Sequence, residues 1–134
     1  MPRLETGIDI IEIARVAGAV EHWGCHFLER VYTPREVALC DGRAECLAVH
    51  FAAKEAAMKT LGLGMFSLKW RDIEVSYDRR GRPLLRLHGS AKRRAATLGL
   101  TVFAVSLSHS RDYGVASVVA TGAGPPSRRQ IRIE

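Results

Sequence analysis

Two acidic residues lie in segments where a folded domain has little structural use for a carboxylate. Asp9 stands inside the apolar run 6–11, which has the composition of a β-strand, although Asp is uncommon in strands. Glu55 lies in an alanine-rich segment that predicts a helix, and Lys59 follows one turn later on the same helix face. Because a buried carboxylate is unfavourable unless it is paired or bound to a metal, we predict that Asp9 and Glu55 hold a divalent cation.

The basic residues near Glu55 indicate that the other ligand of this cation is a phosphate. Mg²⁺ usually binds one or two protein carboxylates and completes its coordination with water and substrate phosphate, and the sequence does not distinguish Mg²⁺ from Mn²⁺. Lys59 would bind the phosphate as a point charge. Lys54 points elsewhere on the helix and either contacts another part of an extended phosphate ligand or is solvated. The alternative for Glu55 and Lys59 is a surface ion pair, which stabilises a helix only weakly.

The composition predicts one globular domain with an acidic partner. The chain has 134 residues, 47% of them apolar, and a formal net charge of +6. This length suffices for one core, and the positive charge favours nucleic acid, an anionic surface, a phosphorylated ligand or an acidic protein. The arginines of the helical half, Arg15 and Arg30 among them, either form a solvated face or dock such a partner.

The cysteines and the N-terminal segment bear on location. Cys25, Cys40 and Cys46 are odd in number, form no CxxC pair and have no histidine at a spacing typical of zinc sites, so we expect three reduced thiols. The N-terminal run contains Glu5 and Asp9 instead of a basic region followed by an apolar core, and no apolar stretch approaches a membrane span. We therefore expect a cytoplasmic protein with no membrane partner.

Hydrophobic periodicity changes half-way along the chain and predicts an α+β domain. A helical period dominates the first half, and alternation typical of antiparallel strands dominates the second. The predicted elements are a strand over 4–13, helices over 16–30, 33–40 and 44–61, a hairpin over 72–88, a helix over 91–98 capped by Ser90, and strands over 101–108 and 113–121. We expect a domain over 1–121 and a flexible tail over 122–134.

Three further segments are weaker candidates for ligand contacts. Gly62 and Gly64 follow the long helix and either cap it or allow a ligand close to the backbone. The turn 81–83 serves first as a hairpin turn and second as the edge of a ligand site. Ser108 and His109 stand at a strand end beside a polar turn, where a histidine is often structural but Ser and His donors also suit an anion with several phosphates.

Four of these segments occur in an order that has a family counterpart. They are GIDI at 7–10 followed by Arg15, FAAKEA at 51–56 followed by Lys59, GRP at 81–83, and SLSH at 106–109. Together they resemble the holo-acyl-carrier-protein synthases, a family of 4'-phosphopantetheinyl transferases. The first two segments are specific as a pair, the last two would be weak alone, and the resemblance spans residues 4–121.

The resemblance implies a reaction, a fold and an assembly. Such enzymes transfer phosphopantetheine from coenzyme A to a serine of an apo acyl carrier protein and release 3',5'-ADP. The implied fold is an antiparallel sheet packed on a long helix. The implied assembly is a homotrimer whose active sites are shared between neighbouring subunits.

The same resemblance implies roles for individual residues. Asp9 and Glu55 would hold Mg²⁺ against the diphosphate of coenzyme A, and Glu55 or a water on the metal would take the serine proton. Lys59 would stabilise the phosphate. The remaining coenzyme A contacts are expected from Lys54, Gly62, Gly64, Arg82, Pro83, Ser108 and His109, and the docking contacts for the acidic carrier from Arg15 and Arg30.

Two other functions stay open from the sequence. A degenerate relative could bind a carrier or coenzyme A without catalysis, although both carboxylates and the lysine are present. A basic nucleic-acid-binding domain would explain the charge, but no recognition motif is visible, and we expect no nucleic acid partner. The segment 21–26 has histidines and a tryptophan where the family often has arginines or lysines, so the sequence does not identify the carrier.

Overall fold

The computed structural model describes residues 2–62 and 68–125. Its elements, in chain order, are β1 (Arg3–Glu12), α1 (Ile13–Trp23), α2 (Cys25–Val31), α3 (Pro34–Cys40), α4 (Ala44–Thr60), a short 3₁₀ helix (Trp70–Asp72), β2 (Ile73–Tyr77), β3 (Pro83–Leu87), α5 (Gly89–Leu98), β4 (Val102–His109) and β5 (Tyr113–Gly122). Helices dominate the first half and antiparallel strands the second, so the predicted α+β class is confirmed.

The strands form two antiparallel sheets. A three-stranded sheet has the order β1–β5–β4, and β2 and β3 form a two-stranded sheet. The central strand is therefore β5, and Asp9 of β1 pairs with Ala116 of β5. Because side chains alternate across a strand, the larger sheet has two distinct faces. Ala116, Val118 and Ala120 of β5 are fully buried on one of them.

Helix α4 lies against the buried face of this sheet. The contact is so close that a Cβ atom on Gly7 of β1 would lie 2.0 Å from the carbonyl oxygen of Ala56. The small helix residues that allow this approach are fully buried: Ala48, Ala52, Ala53, Ala56 and Ala57. The absence of bulky side chains on both elements brings the segment around Asp9 close to the turn of α4 that carries Glu55.

Local sequence signals set most helix ends. Gly24, where φ is 56°, divides the predicted helix 16–30 into α1 and α2. Thr33 and Glu36 form a capping box at the start of α3. Ser90 does not cap α5, because the helix begins one residue earlier and the backbone N–H and hydroxyl of Ser90 both donate to Asp72, at 2.9 and 2.7 Å.

The C-terminal boundary lies a few residues beyond the predicted one. Strand β5 runs through Gly122, and the backbone N–H of Gly124 donates to the Gly99 carbonyl at 3.2 Å. The first residues of the expected flexible tail are therefore bonded to the domain, while residues 126–134 lie outside the described part. Within the described ranges, no helix is both long enough and apolar enough to cross a membrane.

The cysteines differ from the expectation of three reduced thiols. Cys40 at the end of α3 and Cys46 in the first turn of α4 are joined by a disulfide, whereas Cys25 is an exposed free thiol. His50, one turn further along α4, lies beside both bonded sulfurs. Spacing along the sequence did not reveal this cluster because its members come from two helices that the turn 41–43 brings together.

Candidate active site

Asp9 and Glu55 line the same cleft, which we call cleft one. This cleft of about 420 Å³ lies between β1, α1 and α4, and the short helix before β2 closes one side of it. Asp9 reaches it from the middle of β1, and Glu55 from the C-terminal half of α4. Arg15 of α1 lines it as well. The structure thus brings together the two carboxylates predicted to hold a cation and one of the two arginines predicted to dock a partner.

Asp9 affects the protonation of Glu55 in cleft one. Partial burial raises the pKa of Glu55, and the negative charge of Asp9 and a hydrogen bond between the two carboxyl groups raise it further. The positive charges of Lys59 and Arg15 oppose this increase without cancelling it. Two carboxylates in one cleft repel each other, and a divalent cation between them would remove that repulsion. The donor set therefore suits Mg²⁺, which prefers oxygen ligands.

Lys59 lies at the edge of cleft one. Its Nζ atom donates to the carbonyl of Ile8 at 2.9 Å and to Oδ1 of Asp9 at 3.3 Å. The Lys59 side chain is 56% exposed, whereas that of Asp9 is 13% exposed. The ammonium group is thus held beside a carboxylate of β1 while it stays open to solvent, so it can bind an anionic group that enters the cleft.

An aromatic wall of cleft one was missed by the sequence reasoning. Phe51 stacks on Trp70 with 4.7 Å between ring centroids, and Phe27 lies 6.3 Å from Phe51. All three rings line the cleft. Phe51 offered a signal, since it stands one turn before Glu55, but Trp70 belongs to a short helix that periodicity cannot detect. The wall gives one side of the cleft an apolar surface.

His109 lies in a different cleft, which we call cleft two. This cleft of about 440 Å³ is formed by the end of α3, the start of α4, the end of β2, the turn after β2 and the end of β4. Arg43, Tyr77 and Gly81 line it together with His109. Gly81 belongs to the predicted GRP turn. Within one chain, the structure therefore separates His109 and this turn from the carboxylates of cleft one.

The other candidate residues occupy exposed or intermediate positions. Arg82 is exposed in the turn after β2, Pro83 is half-buried at the start of β3, and Ser108 is exposed beside His109 at the end of β4. Gly62 has φ 70° and donates its N–H to the Lys59 carbonyl, as a residue that ends a helix does. Gly64 lies outside the described residues. Arg30 is exposed in the last turn of α2.

Lys54 is fully buried, which corrects the expectation that it contacts a phosphate ligand. Its Nζ atom pairs with Oε1 of Glu36 at 2.7 Å and also donates to the carbonyls of Trp70 and Ile73. Glu36 accepts a further hydrogen bond from the backbone of Val75 at 3.0 Å. Lys54 therefore ties α3, α4 and the segment before β2 together. The charge of Lys54 is paired with Glu36 inside the domain. Spacing along the helix could not distinguish this buried lysine from the exposed Lys59.

Comparison with known proteins places the chain in a family. Residues 5–118 match the model of the 4'-phosphopantetheinyl transferase superfamily. The chain belongs to this superfamily. The family predicted from the four sequence segments is thereby confirmed, and the match covers α4, both clefts and most of the sheet.

Relatives of this transferase are similar over nearly their whole length. A holo-[acyl-carrier-protein] synthase of Herpetosiphon aurantiacus is 48% identical over 126 residues, which cover 89% of this chain and 99% of that protein. The Helicobacter pylori holo-[acyl-carrier-protein] synthase in complex with coenzyme A has a TM-score of 0.79 and 34% identity over 86% of this chain and 98% of its own. The Plasmodium yoelii acyl carrier protein synthase with ADP bound has a TM-score of 0.82 and 28% identity, with 92% and 98% covered.

Proposed function

We propose that the chain acts as a holo-acyl-carrier-protein synthase. It transfers the 4'-phosphopantetheine group of coenzyme A to a serine hydroxyl of an apo acyl carrier protein and releases 3',5'-ADP. The observation that carries this proposal is the meeting of Asp9, Glu55 and Lys59 at cleft one, in a chain that belongs to the transferase superfamily. The coenzyme A held by the Helicobacter pylori relative supports the choice of substrate.

Asp9 and Glu55 are the residues proposed to hold Mg²⁺, with Mn²⁺ as the alternative. Burial raises the pKa of Glu55, and the negative charge of Asp9 raises it further, which supports a cation site between the two carboxylates. When bound, the ion supplies the neutralisation of charge that a pyrophosphate needs as its bridging bond breaks.

The side chains of cleft one then act on the two substrates. Lys59 binds the oxygens of the attacked phosphate and stabilises the negative charge that develops there. Glu55 accepts the proton of the carrier serine as its oxygen attacks phosphorus. A water molecule is the alternative proton acceptor. The new bond joins the serine oxygen to phosphorus, and the bond to the 3',5'-ADP oxygen breaks.

A homotrimer with shared sites is supported by two features of the single chain. The face of the larger sheet opposite α4 carries several large apolar side chains exposed to solvent, as a surface that contacts another subunit does. Its exposed apolar side chains are Leu4, Ile8, Ile10, Val102 and Val119. In addition, the candidate phosphate contacts His109 and the turn 81–83 lie at cleft two, apart from the carboxylates of cleft one. A neighbouring subunit that brings its cleft two to cleft one would complete the site.

Mixed trimers would test this sharing. Glu55→Gln impairs cleft one and His109→Ala impairs cleft two. If each site takes its two clefts from different subunits, random co-assembly of equal amounts of both variants restores one site in four, or about a quarter of the wild-type activity. The mixture is refolded together and compared with each variant alone and with a blend of separately refolded variants. Trimers that contain both variants but stay inactive would contradict the sharing.

The remaining expectations extend this proposal. Arg15 at cleft one and Arg30 on α2 would dock the acidic carrier, whose serine must reach Glu55. We assign the transferase domain to residues 1–121 with a short bonded extension through Gly124. The cytoplasmic location expected from the sequence stays a prediction.

The decisive experiment is a transfer assay with a matched variant. Wild-type protein, coenzyme A, MgCl₂ and a panel of apo carriers are mixed, and the phosphopantetheine mass increment is measured on each carrier. Glu55→Gln should lower the rate at least about a hundredfold, since it removes a proton acceptor and a metal ligand. The control is Glu5→Gln, which changes a carboxylate on the same strand face as Asp9 but away from cleft one.

Two outcomes would overturn the assignment. If a known synthase modifies the carriers while the folded chain modifies none, the chain is not a transferase, and binding of coenzyme A by calorimetry would then favour the catalytically silent alternative. If Glu55→Gln is as active as wild type, the roles assigned to cleft one are wrong.

A further inference from the structure

The Cys40–Cys46 disulfide lies where two elements of cleft two meet. Cys40 ends α3 and Cys46 belongs to the first turn of α4, so the bond closes the turn 41–43 between them. The two sulfurs differ in access. Cys40 is fully buried, whereas Cys46 is half-buried and lines cleft two. A reagent that enters cleft two can therefore reach one sulfur of the pair and not the other.

His50 contacts both sulfurs with different ring atoms. Its Nδ1 atom lies 3.9 Å from Sγ of Cys40, and its Nε2 atom lies 4.0 Å from Sγ of Cys46. The Nε2 atom is also 2.8 Å from the hydroxyl of Tyr77, which lines cleft two. A fully buried imidazole beside both sulfurs can supply or accept the proton that each sulfur exchanges when the disulfide opens or closes.

The bond also positions a basic residue of the same cleft. The guanidinium group of Arg43 donates from Nε to the Cys40 carbonyl at 3.0 Å and from Nη2 to the Leu39 carbonyl at 3.1 Å. Arg43 thus lies in the turn that the disulfide closes, and it lines cleft two with His109. Opening the bond would free this turn and leave a thiol in the cleft.

We propose that Cys40 and Cys46 form a reversible thiol–disulfide pair that controls the binding of the phosphorylated substrate at cleft two. The control of binding rests on the proposed function, because that function makes coenzyme A the ligand of His109. The thiol–disulfide exchange between Cys40 and Cys46 does not rest on the proposed function. The reductant is a dithiol small enough to enter cleft two.

Reduction takes two balanced steps. A thiolate of the dithiol attacks Sγ of Cys46, the bond between the two cysteines breaks, and Cys40 leaves as a thiolate that takes a proton. The second thiol of the reductant then attacks its own sulfur bonded to Cys46, Cys46 leaves as a thiolate and takes a proton, and the reductant departs as a cyclic disulfide. Two electrons pass from the dithiol to the protein, and the reverse steps re-form the bond.

Counting thiols tests the exchange independently of activity. Folded protein is equilibrated with reduced and oxidised dithiothreitol at a series of ratios, and the exchange is quenched. The protein is then denatured and alkylated, and its mass is measured by mass spectrometry. The chain has three cysteines, so we expect one alkyl group, on Cys25, in the oxidised form and three in the reduced form, with a reversible transition between them. One group at every ratio or three groups at every ratio would overturn the proposal.

A metal alternative is separated in the same samples. Among the described residues, Cys40, Cys46 and His50 also have their ligand atoms close enough for one metal ion. A zinc site would replace the proposal if three results occur together. The purified protein contains one equivalent of zinc, the zinc is released as the two thiols become reactive, and oxidised dithiothreitol forms no disulfide. Absence of zinc together with the reversible transition supports the thiol–disulfide pair.

The effect on substrate binding is measured next. We expect the KM for coenzyme A to be about two- to tenfold higher in the reduced form than in the oxidised form, with kcat unchanged. This is the cost of ordering one long side chain, here that of Arg43, when the ligand binds. The double variant Cys40→Ser/Cys46→Ser should show the higher KM at every ratio, and Cys25→Ser should behave as wild type. Equal KM values in both forms would refute the control of binding. Inactivity of both forms would refute the proposed function and leave the thiol counts as a separate result.

Discussion

Replacing Gly7 by alanine tests whether the close contact of β1 with α4 sets the geometry of cleft one. The new Cβ atom would lie 2.0 Å from the carbonyl oxygen of Ala56 and 2.6 Å from Oγ1 of Thr60. Cβ contacts below 3.0 Å essentially do not occur in proteins, so the strand and the helix must separate by roughly 1 Å. The carbonyl belongs to the helix backbone and cannot rotate away as a flexible side chain could.

This separation has an effect on stability and an effect on activity. Overpacking of this kind lowers the free energy of unfolding by about 1–3 kcal/mol. Asp9 lies two residues further on the same strand face, so it moves away from Glu55 by a similar distance. A misplacement of about 1 Å at a reacting centre can lower a rate by about a hundredfold, and we expect Gly7→Ala to lower kcat/KM by about ten- to a hundredfold.

The assay combines unfolding and transfer measurements on the same samples. Urea unfolding is followed by circular dichroism, and phosphopantetheine transfer is measured in the absence of urea on protein shown to be folded. Gly18→Ala in α1 is the matched control, because no heavy atom outside the local helix lies within 4 Å of its Cβ position. Alanine there should increase stability by about 0.5–1 kcal/mol and leave activity unchanged. A Gly7→Ala protein with wild-type stability and activity would refute the reasoning.

Two other acids give measurable effects. Because burial and Asp9 raise the pKa of Glu55 in the folded protein, its protonated form stabilises the metal-free fold, and this contribution is lost as the pH rises through the raised value. Mg²⁺ should therefore increase the melting temperature at neutral pH. This increase should diminish on acidification before the pH reaches the ordinary glutamate pKa of about 4.3, and an undiminished increase near pH 4.3 would count against the site. Glu36→Gln removes the carboxylate that is paired with the buried ammonium of Lys54 and should lower the free energy of unfolding by about 3–5 kcal/mol in urea titrations. Glu5→Gln, which breaks a surface pair with Arg3 at 3.1 Å, should lower it by less than about 1 kcal/mol, and similar losses in both variants would contradict the role of the buried pair.

The order and type of the elements could be predicted because each carries a strong local signal. Thr33, Pro34 and Glu36 start α3 as a capping box requires, and the alanine-rich composition of α4 and the alternation in β2 determine their types. The boundary at Ser90 was wrong for the opposite reason. The acceptor that Ser90 uses, Asp72, is remote in sequence and therefore absent from any local pattern.

The candidate site was predictable where one residue type has few structural uses. An aspartate inside an apolar strand is such a case, and so is a glutamate on a packed helix. Lys54 and Lys59 were not separable in this way, because the burial of Lys54 depends on Glu36 of a preceding helix. The same reason hid the disulfide, since Cys40 and Cys46 belong to two helices whose packing the sequence does not state.

The proximity of Asp9 and Glu55 depends on the two-residue repeat of β1 and on the helical repeat of α4, which both place residues at the contact between Gly7 and Ala56. In β1, Gly7 and Asp9 are two residues apart and therefore face α4 together, and a slip of one residue would turn Asp9 to the exposed face. In α4, Ala56 lies against Gly7, and Glu55 precedes it at the border of the contact, where cleft one opens. Position 7 therefore serves packing and catalysis at once. A larger side chain at position 7 should therefore lower stability and activity together, because it separates the strand from the helix and Asp9 from Glu55.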